Sequence, residues 1–368
     1  MILWTLLLIA AAALGLGALF WLVTRMRRFQ FMRKLAERHN VLAWLISIAL
    51  VGTLFLFWFV NLYAVVIAVL HAALIWLLCD LAAWIVRRAT SREPKRYVAG
   101  IVAVLLTACV LLYGWIAAHH VFRTSYTVES DAVDRPLRIA LIADSHLGVT
   151  LDGEGFAKEM DRILAEQPDL VVLVGDFVDD DSEQDDMLRA CRALGSLDTT
   201  HGVYFVFGNH DNGYYQYRDF SSSDLIRALS ENNVTVLEDE ALPLRADVTL
   251  IGRKDRSDRS RADAQTLLSS VDPNRFWIVL DHQPNDYDAE AAAGADLVLS
   301  GHTHGGHIFP AGQIGLLLGA NDAIYGLSVR GDTTFIVTSG LSGWAIPFKT
   351  GTFSEYAIID LVPKGGAQ

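Results

Sequence analysis

Cysteine is scarce, with three in 368 residues. Cys79 and Cys109 fall in long apolar runs, which leaves Cys191 alone in the rest of the chain. A single thiol forms no internal disulfide, so that part must rest on its core, and cysteine usage leaves the redox compartment open. Acidic residues are sparse in the first 120 positions, which carry 11 Lys+Arg and 3 Asp+Glu. The other 248 carry 19 and 39, a net charge of −20. A surface so acidic repels phosphate backbones, which argues against a nucleic-acid partner. The opening Met1-Ile2-Leu3-Trp4 lacks the basic residues of a signal peptide, so no cleavage is expected. There is no internal repeat and no low-complexity segment. The acidic part is long enough to bury a full core.

Long hydrophobic runs are abundant in the first third. Four apolar segments can be drawn, at about 2–24, 41–60, 62–86 and 97–118. The second and third form one stretch from 41 to 86, roughly 69 Å as a single helix, against a hydrocarbon core of about 30 Å. It must fold back, and Trp58-Phe59-Val60-Asn61-Leu62-Tyr63 is the expected turn, with aromatics suited to an interface. Arg25, Arg27, Arg28, Arg33, Lys34 and Arg38 follow the first segment. Arg87, Arg88, Arg92, Lys95 and Arg96 follow the third. Four spans put both basic loops on one side, the cytoplasmic one by the positive-inside bias. The expectation is a multi-pass protein of the inner or plasma membrane with its later part extracytoplasmic. The domain plan is a transmembrane region at 1–120, a linker at 121–136 and a globular domain at 137–368. Within the third segment, Asp80 lies near the basic end and can pair there, and His71 can be held neutral by one hydrogen bond.

The globular part alternates apolar, strand-like runs with polar loops. Five loops carry chemistry: Asp144-Ser145-His146, Gly175-Asp176-Phe177-Val178-Asp179, Gly208-Asn209-His210-Asp211, Asp281-His282-Gln283-Pro284 and Gly301-His302-Thr303-His304-Gly305-Gly306-His307. Each sits at or just after a strand-like run, where sites in α/β folds collect. Helices are expected at 154–166, around 185–194 and at 225–230. Strands and helices alternate first and strands predominate later, which suggests two packed sheets with helices outside. The carboxylates and imidazoles suit two divalent cations sharing one carboxylate, the machinery of metal-assisted phosphoester hydrolysis. Asp176, alone behind Gly175, suits the shared position. Ligands without thiolate leave Mn, Fe, Zn, Co or Ni open.

The ordered series Asp-x-His, Gly-Asp-x-x-Asp, Gly-Asn-His-Asp, His, Gly-His-Thr-His resembles the calcineurin-like metallophosphoesterases. The extension Gly-His-Thr-His-Gly-Gly is most similar to their membrane-associated, YkuE-like phosphodiesterase branch. The match covers about 137–361. The resemblance implies a four-layer αββα sandwich. It implies one metal on Asp144, His146, Asp176 and His304, and another on Asp176, Asn209, His282 and His302. It further implies attack by a metal-bound hydroxide, with His210 as the catalytic histidine and Asp179 as the carboxylate that orients it.

Two places depart from that pattern. His307 follows Gly-Gly where relatives often carry Gln. The run 252–261, with Arg253, Arg256, Arg259 and Arg261, is unusually basic. Arg253, Arg256 and His307 are therefore candidate substrate contacts, weighed against a merely solvated loop. Apolar residues at Ile308, Phe309, Ile314, Leu316, Leu317 and Leu318 read as core or a hairpin, or else as a lip that admits a lipid tail or touches the bilayer. The expected partners are a membrane and a phosphate ester or diphosphate, with membrane tethering favouring a lipid-linked one. Two rivals stand beside this reading. One is a UDP-2,3-diacylglucosamine-type diphosphatase, which needs a cytoplasmic domain. The other is a metal-binding sensor or scaffold without turnover.

Overall fold

The computed structural model describes residues 2–91, 96–214 and 218–365, with side chains from residue 13 onward. Arg92 and Lys95 of the second basic loop lie outside the described residues. The chain divides into two compact units, Met1–Tyr113 and Gly114–Gln368.

The first unit is helical. α1 is Ile2–Met26, α2 Gln30–Arg38, α3 Asn40–Gly52 and α4 Leu62–Thr90; α5, Val98–His119, begins here. Three stretches are long and apolar enough to cross a membrane: Asn40–Phe59, Leu62–Thr90 and Val98–His119. Ala13–Met26 is a shorter apolar helix. The 41–86 run breaks at Val60 and Asn61, where a 3-10 segment, Thr53–Phe59, follows α3. Asn61 caps α4 by accepting the Ala64 N–H at 2.8 Å, which satisfies a donor that a helix start otherwise leaves free. Asp80 pairs with Arg25 at 3.0 Å and Arg28 at 3.4 Å. His71 Nδ1 meets the Ile67 carbonyl at 2.9 Å. Both ionisable groups thus have partners within the first unit.

The second unit holds twelve strands among the described residues. They are β1 Val121–Ser130, β2 Leu137–Ile142, β3 Leu170–Val174, β4 Val203–Val206, β5 Val234–Val236, β6 Glu240–Arg245, β7 Val248–Gly252, β8 Phe276–Leu280, β9 Leu297–Ser300, β10 Gly326–Arg330, β11 Thr333–Val337 and β12 Ser354–Pro363. One sheet runs β1-β12-β2-β3-β4-β5 and the other β10-β11-β9-β8-β7-β6. Helices α6 (Gly153–Ala165), α7 (Gln184–Gly195) and α8 (Ser222–Glu231) cover the first sheet. α9 (Ala264–Leu268) and α10 (Tyr287–Ala292) cover the second, and α11 (Ala311–Leu317) follows β9.

Side-chain alternation builds the layers. In β2, Leu137, Ile139 and Leu141 point into the core between the sheets, while Ala140 and Ile142 pack under α6. Val203 and Phe205 of β4 face the helices, and Tyr204 and Val206 face the other sheet. Period 2 with both faces apolar is what a strand buried on both sides requires. A third cluster, with Trp277, Val279 and Phe335, lies under α9 and α10. The architecture is therefore an αββα sandwich.

One expected boundary is corrected. The linker at 121–136 is mostly strand, because β1 pairs parallel with β12 from Val121↔Ser354 to Ser130↔Pro363. Its Arg, Thr, Ser and Glu side chains reflect an edge position with much of the strand exposed. A polar edge strand reads as linker until its partner, more than 200 residues on, is in view.

Candidate metal centre

Strands β2, β3 and β4 run parallel in one sheet, and β7, β8 and β9 run parallel in the other. The loops leaving β2, β3, β4, β8 and β9 carry the five motifs. Their side chains meet in two trios: Asp144, His146 and His304, and Asp176, His282 and His302. Within each trio the ligand atoms lie within 4.8 Å of one another.

Asp176 links the trios. Its Oδ2 lies 3.1 Å from His282 Nε2 and 3.6 Å from His146 Nε2. Its Oδ1 accepts the His210 backbone N–H at 2.8 Å. The imidazoles are aimed by their other nitrogens. His282 Nδ1 donates to the Val174 carbonyl at 2.8 Å and His304 Nδ1 to the Ser342 carbonyl at 3.1 Å. That tautomer turns Nε2 inward as a lone pair, the arrangement metal-binding histidines use.

The fit to a cation rests on orphaned atoms. His146 Nε2 and His282 Nε2 are fully buried with no hydrogen-bond partner. A buried polar atom left without a partner costs about 1–3 kcal/mol. Two such atoms facing one carboxylate suit divalent ions, and a set of carboxylate and imidazole donors without sulfur suits first-row metals.

The backbone here is strained. Asp144, His146, Asp176, His302, His304 and His307 all have φ between +37° and +69°. The left-handed region costs a non-glycine residue on the order of 1 kcal/mol or more. The loops are held there by backbone hydrogen bonds: Asp144 N–H to Gly175 O at 3.0 Å, His146 N–H to Asp176 O at 3.1 Å and Gly301 N–H to His282 O at 3.0 Å. Gly175 has φ +76°, and a Cβ there would come within 2.5 Å of His282 Nδ1. Glycine is needed at that position on both counts.

Charge is distributed unevenly. Burial alone would raise Asp176, but the His282 and His146 imidazoles outweigh it and hold its carboxyl well below the usual range. Burial likewise opposes protonation of His282, and Asp176 overrides it and raises that ring. Asp144 is pushed up to about 6 by burial, with the Asp176 charge adding to it. His302 is lowered to about 4, first by burial and then by His282. Burial also lowers His210.

Several expected contacts are placed differently. Asp179 does not meet His210; its Oδ2 accepts from His146 Nδ1 at 3.1 Å. The reason is reach, since Asp179 and His146 leave neighbouring parallel strands whose loops are already bonded together. The His210 ring instead lies beside His146, Tyr214 and Trp344, with centroids 5.1, 5.0 and 5.3 Å away. Asn209 donates to the Tyr214 hydroxyl at 2.8 Å, and its Oδ1 accepts from Gln283 at 3.4 Å. Arg253 is 1% exposed and gripped by Asp281, Asp286 and Glu290 at 2.8–3.0 Å. It anchors the Asp281-His282 loop and is closed to a substrate. Arg256 is exposed on the following loop. His307 Nε2 donates to the Ile346 carbonyl at 3.2 Å, and burial followed by Lys349 lowers the ring to about 3. That nitrogen serves the 346–348 loop.

Other residues carry the site without a sequence role assigned to them. Asp211 accepts four backbone N–H bonds, from Asp176, Phe177, Val178 and Gly208, at 2.7–3.0 Å. Lys349 is fully buried, and its Nζ donates to Ser339 O at 2.6 Å and Gly340 O at 3.2 Å. Glu355, also buried, accepts from Thr338 Oγ1 at 2.9 Å and the Ser339 N–H at 3.0 Å. Asp211 stood in view inside the Gly-Asn-His-Asp block. Lys349 and Glu355 lie in no motif, and only burial identifies them.

Residues 137–306 match the family described as calcineurin-like phosphoesterase. The chain is 32% identical over 222 residues to an uncharacterized metallophosphoesterase of Aquifex aeolicus, covering 57% of this chain and 78% of that protein. It is 32% identical over 243 residues to one of Helicobacter pylori, covering 64% and 63%. A transmembrane protein with metallophosphoesterase domain from Bos taurus is 31% identical over 237 residues, covering 60% and 51%. The match thus spans less than two thirds of the Helicobacter and Bos proteins. On these matches and the geometry of its five loops, the chain belongs to the calcineurin-like metallophosphoesterase family.

Proposed function

We propose that this protein is a membrane-anchored phosphoester hydrolase that works with two divalent cations. The observation that carries the reading is the Asp176 carboxylate, whose Oδ2 faces buried, unpartnered imidazole nitrogens of both trios. One cation is assigned to Asp144, His146, Asp176 and His304, the other to Asp176, Asn209, His282 and His302. When bound, such a pair supplies positive charge to the phosphoryl oxygens and a water acidified to near-neutral pKa.

The protein's own groups do the rest. Val174 and Ser342 carbonyls fix the tautomers of His282 and His304, so that both present lone pairs. Asp179 does the same for His146. His210 sits at the edge of the site with its pKa lowered by burial. A neutral ring there still has one N–H, so its role is to donate a hydrogen bond to charge building on phosphoryl or leaving oxygen. The three long apolar helices, together with the shorter apolar stretch Ala13–Met26 of α1, anchor the chain as four spans. The basic residues after the first and third apolar segments support an extracytoplasmic site, which a reporter fused to the C-terminus would test.

The function is tested with the full chain in detergent, by elemental analysis and hydrolysis of bis(p-nitrophenyl) phosphate. The expected result is two metal equivalents and turnover, with both lost in Asp176→Ala. Retention of two metals by that variant, or no turnover with any of Mn, Fe, Zn, Co or Ni, would overturn the proposal.

A further inference from the structure

α11 buries none of its own residues. Leu317 is 86% exposed and Leu318 77%, with Phe309 and Ile314 at 51% each. Among the described residues these side chains stand largely uncovered. An exposed apolar patch of this kind marks a surface that is covered in use. Its position narrows what covers it. Gly312 of α11 packs on Gly306, since a Cβ on Gly312 would come within 2.4 Å of Gly306 Cα. Gly306 is two residues from His304 of the first trio. The patch therefore lies beside the metal loop.

The same patch is tied to the end of the last apolar helix. Residues Gly114 to His119 of α5 belong to the second unit. The Gly114 carbonyl accepts the Lys349 N–H at 2.9 Å, and the Trp115 ring meets Phe348 edge-on at 5.5 Å. One residue further, Thr350 Oγ1 accepts the Phe309 N–H at 3.1 Å, and the Gly351 N–H bonds His307 O at 2.9 Å. The segment 348–351 thus clamps the patch to the point where an apolar helix of membrane-crossing length ends. β1 begins at Val121, two residues after α5 stops.

From this continuity we infer that Phe309, Ile314, Leu317 and Leu318 dock into the surface of the bilayer that α5 enters. The docked helix holds the metal site at the headgroup level, where an amphiphilic phosphoester can be hydrolysed with its apolar tail still in the membrane. A short apolar helix seated at the headgroup–acyl boundary is a known mode of interfacial anchoring. The inference deepens the phosphoesterase reading by naming a lipid-borne substrate class. Its test needs no turnover, so the two can fail separately.

Full-length chains with Cys79, Cys109 and Cys191 replaced by serine receive one cysteine each: Leu317→Cys, Leu318→Cys, Ile101→Cys within α5, or Asp198→Cys on an exposed loop. Each is labelled with bimane and reconstituted into phosphatidylcholine–phosphatidylglycerol vesicles containing brominated lipid. Quenching at 317 and 318 should reach about half or more of that at 101, with little at 198. Quenching at 101 alone would overturn the inference, as would equal quenching at 198. Cross-linking of Leu317→Cys chains to each other without lipid quenching would also overturn it, and would assign the patch to a second copy of this chain.

Discussion

The Asp211 carboxylate holds the backbone of Asp176: its Oδ2 accepts the Asp176 N–H at 2.8 Å and the Gly208 N–H at 2.7 Å. Its Oδ1 takes the next two amides, Phe177 and Val178. Four buried donors on one side chain fix the left-handed turn that points Asp176 between the trios. An amide in its place keeps one acceptor oxygen and sets an NH₂ against N–H donors. Asp211→Asn should therefore lose on the order of 2–4 kcal/mol of stability. Thermal unfolding of the detergent-solubilised protein measures this, and an unchanged midpoint would refute the role.

Asp179 is expected to act through His146 rather than His210. Removing a carboxylate that orients a metal-binding imidazole costs roughly 10–100-fold in metal affinity. Asp179→Asn should show that loss in competition with a chelator. Unaltered affinity with a large fall in turnover would instead restore a direct link to His210.

Arg253 is a buried partner to Asp281, Asp286 and Glu290. Arg261 still pairs with Asp281 when Arg253 is removed, but the buried Glu290 loses its Arg253 partner, and breaking a buried ionic group in this way costs about 3–5 kcal/mol. Arg253→Ala should lower the unfolding midpoint sharply, whereas exposed Arg256→Ala should stay within about 0.5 kcal/mol of the parent. The reverse ranking, or a KM effect at Arg253 without loss of stability, would reinstate the substrate role.

Lys349 gives a pH signature. Burial lowers its pKa from the ordinary 10.5 to about 7, with Asp144 and Glu355 pulling it back up. Between those two values the unfolded chain carries a proton that the folded chain has released. Stability then rises with pH across that window, and the full penalty of burying the charge is present below about pH 7. Lys349→Met has no such group. The unfolding midpoint of the parent should gain on that of the variant from pH 7 to pH 10, and a constant difference between them would count against a depressed lysine.

Much of the fold was legible in the chain. Apolar runs of strand length, each ending in a polar loop, named β2, β3, β4, β8 and β9 and located the five motifs, because alternation and strand-end chemistry are local properties. The apolar stretches named the long helices for the same reason, and the 41–86 run was too long to be one span. β1 was not legible, since an edge strand with polar side chains is defined by its partner β12. Helix α11 was open between core, hairpin and lip; its sequence is apolar in any of them, and only the exposure of Ile314, Leu316, Leu317 and Leu318 separates them.

By itself, the sequence determined which atoms are present: a sulfur-free set of carboxylates and imidazoles in a fixed order, and helices apolar enough for a bilayer. Local spacing and composition suffice for that. Tertiary structure decided which groups face one another. It put Asp179 on His146, buried Arg253 among acids, and set Lys349 behind the metal loop. It also clamped an exposed apolar helix to the end of α5. Those pairings depend on how two sheets stack and where loops from distant strands meet, and no stretch of neighbouring residues encodes them alone.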